Sequence, residues 1–311
     1  MKKTYVLITA AKNEEAFIEN TIKSVVKQSI LPLKWIIVSD GSTDCTDEIV
    51  SRYEENCDFI QLHRVTSNEG RNFASKVYAI NIGYSLIKNL NYDFIGILDA
   101  DITFEPDYYK KLLKEFADNP GLGLAGGQIF DLYDGKMHKG INSDNSVGNA
   151  IQFFRRECFD KLGGLTPIAN GGEDGVAEIS IRMHGWEVKS ISHLPVLHHR
   201  RTGTAVLNIL NFKFRQGAVE YCLGYHPFFQ ALKCIFRFRE KPYIIGSIFR
   251  FAGFWWTTLK QEARPVSSDF VRYIRKEQLK RITNIIYLKG PNNSFKNPNT
   301  KNNRYSETPQ N

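Results

Sequence analysis

The sequence has little that would cross-link the chain or hold it in a membrane. Its five cysteines are scattered among 311 residues, and none forms a Cys-x-x-Cys pair. This number and spacing argue against a disulfide framework and a zinc site, and favour a reducing compartment. The first apolar segment runs directly into the polar residues Lys12–Glu15, which predicts a strand rather than a signal peptide. We therefore expect a cytosolic protein.

Negative charge is scarce in the second part of the chain. Residues 200–289 contain 17 Lys or Arg residues and 5 Asp or Glu residues, whereas the residues before them are net acidic. The whole chain has a net charge of +8, with an ordinary globular share of hydrophobic residues, 42%. This division of charge indicates two roles, and a basic surface suits anionic lipid, nucleic acid or a phosphorylated substrate.

Strand and helix patterns alternate over the first 130 residues. Short β-branched or aromatic runs predict strands at Tyr5–Thr9, Trp35–Ser39, Phe59–His63, Phe94–Leu98 and Leu122–Ile129. Apolar residues at helical spacing predict helices over 18–26 and 106–117, and a helix over 176–184 precedes a strand over 187–192. The alternation predicts an α/β fold with a mainly parallel sheet flanked by helices.

Acidic residues gather where three of these strands end. Ala10–Glu14 follow the first strand, Asp40 follows the second, and Asp99–Asp101 follow the fourth. Because the carboxyl ends of parallel strands meet at one edge of a sheet, these side chains should lie together. Their mutual repulsion would cost free energy unless a cation or ligand offsets it. Two aspartates there suit a divalent cation that also takes oxygens from a substrate phosphate.

The ordered set of these segments resembles glycosyltransferase family 2, whose catalytic domain has the GT-A nucleotide-sugar-binding fold. The resemblance covers roughly residues 4–200. Its segments are Thr9–Glu14, Asp40–Asp44, Asn68–Arg71 with Ala79–Gly83, Asp99–Asp101, Gly171–Asp174 and Arg182–Trp186. Their order is far more specific than any single member of the set.

The resemblance implies a role for each matching residue. Asp40 would contact the nucleoside, and Asp99 and Asp101 would bind ribose and Mg²⁺ or Mn²⁺ on the diphosphate. Asp174 would be the general base with Glu173 beside it, because an acceptor hydroxyl needs a carboxylate to accept its proton. Glu178 could share or replace part of that role. The residues expected to contact the donor are Ala10, Lys12, Glu14, Asp40, Arg71, Asp99 and Arg200.

Two histidines and two arginines follow the strand predicted over 187–192. In GT-A enzymes a histidine after the acidic motif often completes the metal site, which implies His198 or His199 as a ligand through a neutral ring nitrogen. Arg200 and Arg201 could add charge-assisted hydrogen bonds to the diphosphate. A structural role for the histidines is the alternative.

Together these features predict a metal-dependent inverting glycosyltransferase. It would move a sugar from a nucleotide-sugar, with UDP-sugar favoured over GDP-sugar, to a glycan or glycolipid acceptor in polysaccharide or glycolipid biosynthesis. The resemblance implies one base and no second nucleophilic carboxylate, which favours a single displacement and therefore inversion. A nucleotidyltransferase and a catalytically silent sugar-nucleotide-binding protein are the alternatives. No nucleic-acid partner is expected, because the aromatic residues have core-like helical spacing rather than that of a stacking platform.

The chain divides into three predicted parts. Residues 1–204 form the catalytic domain, with a nucleotide-sugar half to about residue 130 and an acceptor half over 131–204. Residues 205–290 form a basic, aromatic, amphipathic helical appendage. Residues 291–311 have almost no apolar content and are predicted to be disordered.

Two interpretations of the appendage stay open. Its segments over 228–238 and 243–259 are strongly apolar, but Arg250 in the second argues against a membrane span. Polar and small residues recur at steps of three and four along each segment, which predicts a polar stripe on each helix. A basic hairpin in the membrane interface, held at the cytoplasmic face, fits this pattern. A helical subdomain packed on the catalytic core fits it equally.

Overall fold

The structure, a computed structural model, describes residues 3–66, 73–140, 146–168, 170–200 and 209–288. In these residues nine strands form one sheet. They are β1 (Tyr5–Ala11), β2 (Lys34–Asp40), β3 (Ile60–Val65), β4 (Phe94–Leu98), β5 (Ile102–Phe104), β6 (Leu122–Tyr133), β7 (Lys136–Lys139), β8 (Ile151–Arg155) and β9 (Glu187–His198). Each strand predicted from the sequence is present within a few residues of its expected bounds.

Ten helices accompany the sheet within the described ranges. They are α1 (Ile18–Val26), α2 (Thr46–Glu54), α3 (Phe73–Ile87), α4 (Tyr108–Asp118), α5 (Arg156–Leu162), α6 (Glu173–Met183), α7 (Ile209–Cys222), α8 (Pro227–Phe236), α9 (Tyr243–Leu259) and α10 (Ser268–Leu288). The helices predicted over 18–26, 106–117 and 176–184 correspond to α1, α4 and α6. The predicted tail over 291–311 lies outside the described residues.

The sheet is parallel on one side and mixed on the other. Its strand order is β3-β2-β1-β4-β8-β6-β9-β5, with β7 paired to β6. The strands β3, β2, β1 and β4 are parallel, as predicted, but β8 enters antiparallel between β4 and β6. Gly96 on β4 lies opposite Phe153 on β8, and a Cβ there would collide with Leu7. Strand β8, which the sequence did not predict, therefore pairs with β4 at a position where only glycine fits.

The central strands are buried on both faces. Along β1, Tyr5 and Leu7 belong to one apolar cluster, while Val6 and Ile8 belong to the other. The first cluster also contains buried residues of α1, α2 and α4, and the second those of α3, α5 and α6. Such continuous apolar runs are typical of parallel strands that are covered by helices on both sides.

The C-terminal helices pack on the rest of the protein and on each other. Phe270 and Ile274 of α10 join Ile179 of α6 in one buried cluster. Helices α7 and α9 approach so closely that a Cβ on Gly217 would overlap the carbonyl oxygen of Arg250. A Cβ on Gly253 would likewise overlap the carbonyl oxygen of Phe214. Within the described residues, no helix has the length and apolar character needed to cross a bilayer.

The polar stripe predicted on the second apolar segment does not face water. Gly246, Ser247, Arg250, Gly253 and Thr257 are all buried, on the side of α9 that meets α7. The Arg250 guanidinium donates to the carboxylate of Glu220 through two nitrogens and to Gln216 Oε1 at 3.1 Å. The polar stripe of α9 therefore packs against α7, where the buried carboxylate of Glu220 pairs with the arginine.

The contact at Gly253 generates a stability prediction. In an open helix position, replacing Gly with Ala stabilises by about 1 kcal/mol. At Gly253 the added methyl meets the Phe214 carbonyl, so Gly253→Ala should instead lower the free energy of unfolding by about 2 kcal/mol. Urea unfolding measures this, with Ala252→Gly on the exposed side of α9 as the matched control, expected to cost about 1 kcal/mol. An unchanged or more stable Gly253→Ala protein would contradict the packing of α7 on α9.

Candidate active site

A polar groove opens where β1, β2 and β4 end. Its volume is about 190 Å³, and its walls come from Ala10–Lys12, Glu14, Asp40, Ser75, Lys76, Asp99–Asp101 and Arg200. The groove thus brings together every predicted donor-binding residue that the structure describes. Arg71 and Arg201, also predicted to contact the donor, lie outside the described residues.

Cations from distant parts of the chain balance the carboxylates on this edge. Lys12 Nζ lies 3.5 Å from Asp40 Oδ2. The Arg200 guanidinium pairs with Glu14 and lies 3.4 Å from Asp101 Oδ2. Arg200 also stacks over the Phe17 ring, 4.8 Å from its centroid. These contacts hold the side chains in defined positions at the groove.

Lys76 is a site residue that the sequence interpretation missed. Its Nζ lies 2.6 Å from Asp99 Oδ1, and burial of the lysine is outweighed by Asp99 and Glu173, which raise its pKa. Burial and the neighbouring Asp101 raise the pKa of Asp99 itself. The available signal was the position of Lys76 in the first turn of a helix that follows the Asn68–Arg71 segment, which directs it at the strand ends.

Asp101, which lines the groove, faces His198. His198 Nε2 lies 3.3 Å from Asp101 Oδ2, while its Nδ1 lies 2.9 Å from Asp131 Oδ1. Burial disfavours the charged imidazole, but the two carboxylates outweigh it and raise the pKa of His198 to about 9. His199 instead bonds Thr103 Oγ1 through Nε2 at 2.8 Å. Of the two candidate ligands, only His198 therefore points at the Asp-x-Asp segment.

The donor set fits a divalent cation in part. Among the described residues, no three His, Cys, Asp or Glu side chains are grouped so as to hold a metal ion by themselves. Asp101 and His198 nevertheless offer an oxygen and a nitrogen to one point, and Asp131 would fix the imidazole from behind. Mg²⁺ commonly uses one or two protein ligands and completes its shell with phosphate oxygens and water. Asp99, also predicted as a ligand, is paired with Lys76.

Asp174 stands at the start of α6, where the chain turns through Gly172 at a φ of 104°. One of its oxygens accepts the Gly175 N–H at 2.8 Å, and the side chain is only half-buried, so it can be reached. Burial and the neighbouring Glu173 raise the pKa of Asp174 to about 6. Glu173 is more deeply buried and accepts from Asn149 Nδ2 at 2.8 Å. Asp174 is thus the better placed of the two to accept a proton from a ligand.

Glu178, the alternative base, is held by other contacts. Its Oε1 accepts from Val147 N at 2.6 Å and Ser146 Oγ at 3.0 Å, and the side chain is buried. Burial, together with Asp174, raises its pKa to about 8. A carboxyl that is protonated at neutral pH and bonded to the preceding loop is suited to structure rather than to proton transfer.

Helix α7 covers the turn that carries Asp174. A Cβ on Gly172 would meet Val219 Cγ1 at 2.6 Å, and one on Gly175 would meet Leu223 at 3.4 Å. Arg215 lies one turn before Val219 on the same face of α7, and Glu173 interacts with it electrostatically. The appendage therefore contributes to the wall beside the Glu-Asp segment, which the sequence did not indicate.

The groove is not the largest cavity described. A cavity of about 720 Å³ lies between the end of α6, the outer part of β9 and Tyr273 of α10. It contains none of the strand-end carboxylates. We assign the chemistry to the smaller groove because the charged groups converge there.

Comparison with known proteins identifies the family. Residues 6–169 match Glycosyl transferase family 2, which is more than half of the chain. The chain therefore belongs to glycosyl transferase family 2, as its motifs predicted. Poly-beta-1,6-N-acetyl-D-glucosamine synthases of Staphylococcus aureus are 33% identical over 120 residues. That segment is 39% of this chain and 27% of the relative, so the similarity spans only about a quarter of those proteins.

Solved structures confirm the predicted GT-A-like fold. A mannosyltransferase from Pyrobaculum calidifontis, in complex with GDP-Man and Mn2+, superimposes with a TM-score of 0.54 at 15% identity. The match covers 93% of this chain and 82% of that one. TarS of S. aureus, in complex with UDP-GlcNAc, matches with a TM-score of 0.54 at 13% identity, over 88% of this chain and 82% of its own.

The environment of Glu178 generates a prediction about stability and pH. Its ordinary pKa is 4.5 and its pKa in the folded protein is about 8. Between these values the folded protein holds a proton that the unfolded chain has lost, so the free energy of unfolding should fall as pH rises. Glu178→Gln should remove this contribution, flattening the curve by roughly a few kcal/mol by pH 8. Urea unfolding from pH 5 to 8.5 tests it, and equal slopes for both proteins would contradict it.

Proposed function

We propose that the protein is a metal-dependent inverting glycosyltransferase that moves a sugar from a nucleotide-sugar to an acceptor hydroxyl. The observation that carries the proposal is Lys76, which pairs with Asp99 and interacts electrostatically with Asp101, Glu173 and Asp174. This one cation links the edge expected to bind the donor with the helix expected to carry the base. A transferase needs its donor site and its base near each other, and Lys76 interacts with carboxylates of both.

The residues that line the groove suit a nucleoside diphosphate. Asp40 can accept from a ring nitrogen of the base, and Lys12 and Ala10 lie beside it. Lys76 and Arg200 carry positive charge that suits diphosphate oxygens. UDP-sugar is the favoured donor and GDP-sugar the alternative, in keeping with the UDP-GlcNAc and GDP-Man in the complexes of the structural neighbours.

Asp101 and His198 are the residues that would hold Mg²⁺ or Mn²⁺. When bound, the cation would stabilise the negative charge that grows on the diphosphate leaving group. His198 must lose a proton to serve as a ligand, and Asp131 can retain the hydrogen on the other ring nitrogen. The complex of the mannosyltransferase neighbour contains Mn2+, which supports this assignment.

Asp174 is the proposed general base. As a carboxylate it would take the proton of the acceptor hydroxyl while that oxygen attacks the anomeric carbon and the bond to the diphosphate breaks. Glu173 raises the basicity of Asp174 through its own charge. A single displacement of this kind inverts the anomeric centre. Asp174 also separates this proposal from a silent sugar-nucleotide-binding protein, which needs no base.

A glycan or glycolipid is the proposed acceptor, in polysaccharide or glycolipid biosynthesis at the cytoplasmic face of a membrane. The names of the curated relatives, poly-beta-1,6-N-acetyl-D-glucosamine synthases, support polymer chemistry. A nucleotidyltransferase is the remaining alternative. It would release pyrophosphate, whereas a glycosyltransferase releases a nucleoside diphosphate, so product analysis distinguishes the two.

Donor and metal binding can be tested together by thermal unfolding. A panel of UDP-sugars and GDP-sugars with Mn²⁺ should contain at least one that raises Tm, because a ligand of the folded state stabilises it. Asp101→Ala should lose the Mn²⁺-dependent part of that rise and abolish transfer. The control is Asp118→Ala, an exposed carboxylate at the end of α4, which should behave as the wild type. Full transfer in excess chelator would overturn the metal assignment.

The base can be tested by substitution and by pH. Asp174→Asn keeps the shape of the side chain but cannot accept the proton, so kcat should fall roughly 100-fold or more while donor Kd barely changes. In the wild type, turnover should rise with pH until Asp174 is deprotonated, near pH 6. Glu178→Gln is the matched comparison and should stay active. The base is misplaced if Glu178→Gln or Glu173→Gln is inactive while Asp174→Asn turns over normally.

A further inference from the structure

The side of α9 that faces away from α7 is apolar. No described part of the chain covers it, so these apolar side chains are exposed. Its exposed side chains recur at helical spacing from one end to the other, at Ile244, Ile248, Phe251, Trp255, Trp256 and Leu259. Leu259 is 76% exposed, Ile248 56% and Trp256 54%. Isolated exposed apolar residues are common on proteins, whereas a continuous stripe marks a surface that meets another phase or another molecule.

Helix α8 also exposes apolar side chains. It contacts α9, and its Phe228, Ile235 and Phe236 are all more than half exposed. We call these residues and the stripe on α9 the outer face. Two neighbouring helices thus present apolar side chains in the same part of the protein, so the exposure is not confined to one turn.

The charges of these helices are turned away from the outer face. Arg250 is 6% exposed and Lys233 Nζ lies 2.6 Å from Glu220 Oε1, so both cations meet one buried carboxylate on α7. Burial favours neutral Glu220, but Lys233 and Arg250 outweigh it and lower its pKa to about 2. The helices are therefore polar inside and apolar outside, the reverse of a water-facing amphipathic helix.

Exposed cations lie at the margins of the outer face. Arg239 and Lys241 occupy the turn between α8 and α9, and Lys260 follows the last residue of α9. Lys260 Nζ lies over the Trp256 ring, 5.3 Å from its centroid, so this charge is adjacent to an aromatic side chain of the outer face. An apolar surface with tryptophans and a basic margin matches the chemistry of an anionic bilayer interface.

We propose that the outer face lies in the surface of an anionic lipid bilayer, as a docking surface that does not span it. The cations at its margin favour anionic lipid over a second copy of the chain. If two copies met through their outer faces, these cations would face each other and repel. In this arrangement the lipid would meet the apolar side of α9, while its polar side packs on α7. Helix α7 packs on α9 and also covers the turn that carries Asp174, so α7 connects the docked surface with the proposed base. The proposal concerns binding alone and does not depend on glycosyl transfer.

Vesicle flotation of the full chain tests the proposal. The protein should float with phosphatidylglycerol–phosphatidylcholine vesicles much better than with pure phosphatidylcholine. Ile248→Glu combined with Trp256→Glu should reduce flotation at least tenfold, because both carboxylates would enter the interface. Exchange of Arg239, Lys241 or Lys260 for Gln should weaken binding to anionic vesicles about fivefold for each cation removed. The matched control is Leu86→Glu, an exposed leucine on α3, which should float as the wild type does.

Circular dichroism and the Tm of thermal unfolding without ligand show whether each variant stays folded. Absence of flotation for a folded wild type with either vesicle would overturn the proposal. Equal losses in Leu86→Glu and in the outer-face variant would also overturn it, since binding would then not be local. If light scattering shows a dimer that Ile248→Glu and Trp256→Glu dissociate, and vesicles do not bind, the outer face contacts a second copy instead.

Discussion

Charge balance at one edge of the sheet is the constraint on which the rest of this structure depends. Carboxylates at the ends of β1, β2 and β4 would repel one another if only their own strands were present. Each is matched by a cation from elsewhere in the sequence, such as Lys76 for Asp99 and Arg200 for Asp101. The beginning, middle and end of the catalytic part must therefore meet correctly before the edge is electrostatically tolerable. The same requirement gathers the groups to which we assign the proposed chemistry.

The same balance shows why the sequence predicted the strand-end residues of the groove but not the ion pairs between them. Strand periodicity and the Asp-x-Asp segment are local signals, and they located β4, Asp99 and Asp101 correctly. The pairing of Lys76 with Asp99 joins residues 23 positions apart through the tertiary fold, and the position of Lys76 in the first turn of α3 does not by itself identify its partner. Strand β8 was missed for a related reason, since its place between β4 and β6 is set by the fit of Phe153 against Gly96.

The C-terminal helices illustrate a different limit. Periodicity located α8 and α9 and grouped Arg250 with Gly246 and Gly253 on one side of α9. It does not show which way that side of the helix faces. Whether a polar stripe faces water or the interior depends on what the neighbouring helix offers, and α7 offers Glu220 together with the small residue Gly217. Burial of an arginine requires a carboxylate partner and hydrogen-bond acceptors for its remaining donors, such as Gln216 Oε1 here. Only the tertiary structure shows that both conditions are met.

The adjacent histidines at the end of β9 show how strongly this arrangement depends on the register of one strand. His198 lies directly opposite Ile102 on β5 and Asp131 on β6, so its place on the strand is fixed from both sides. Neighbouring residues of a strand point to opposite faces, which is why His199 reaches Thr103 instead. A slip of β9 by a single residue would exchange the two imidazoles. Insertions and deletions near residues 191–195, where β9 already departs from regular pairing with β6, would thus change which imidazole faces Asp101 while leaving the composition of this edge intact.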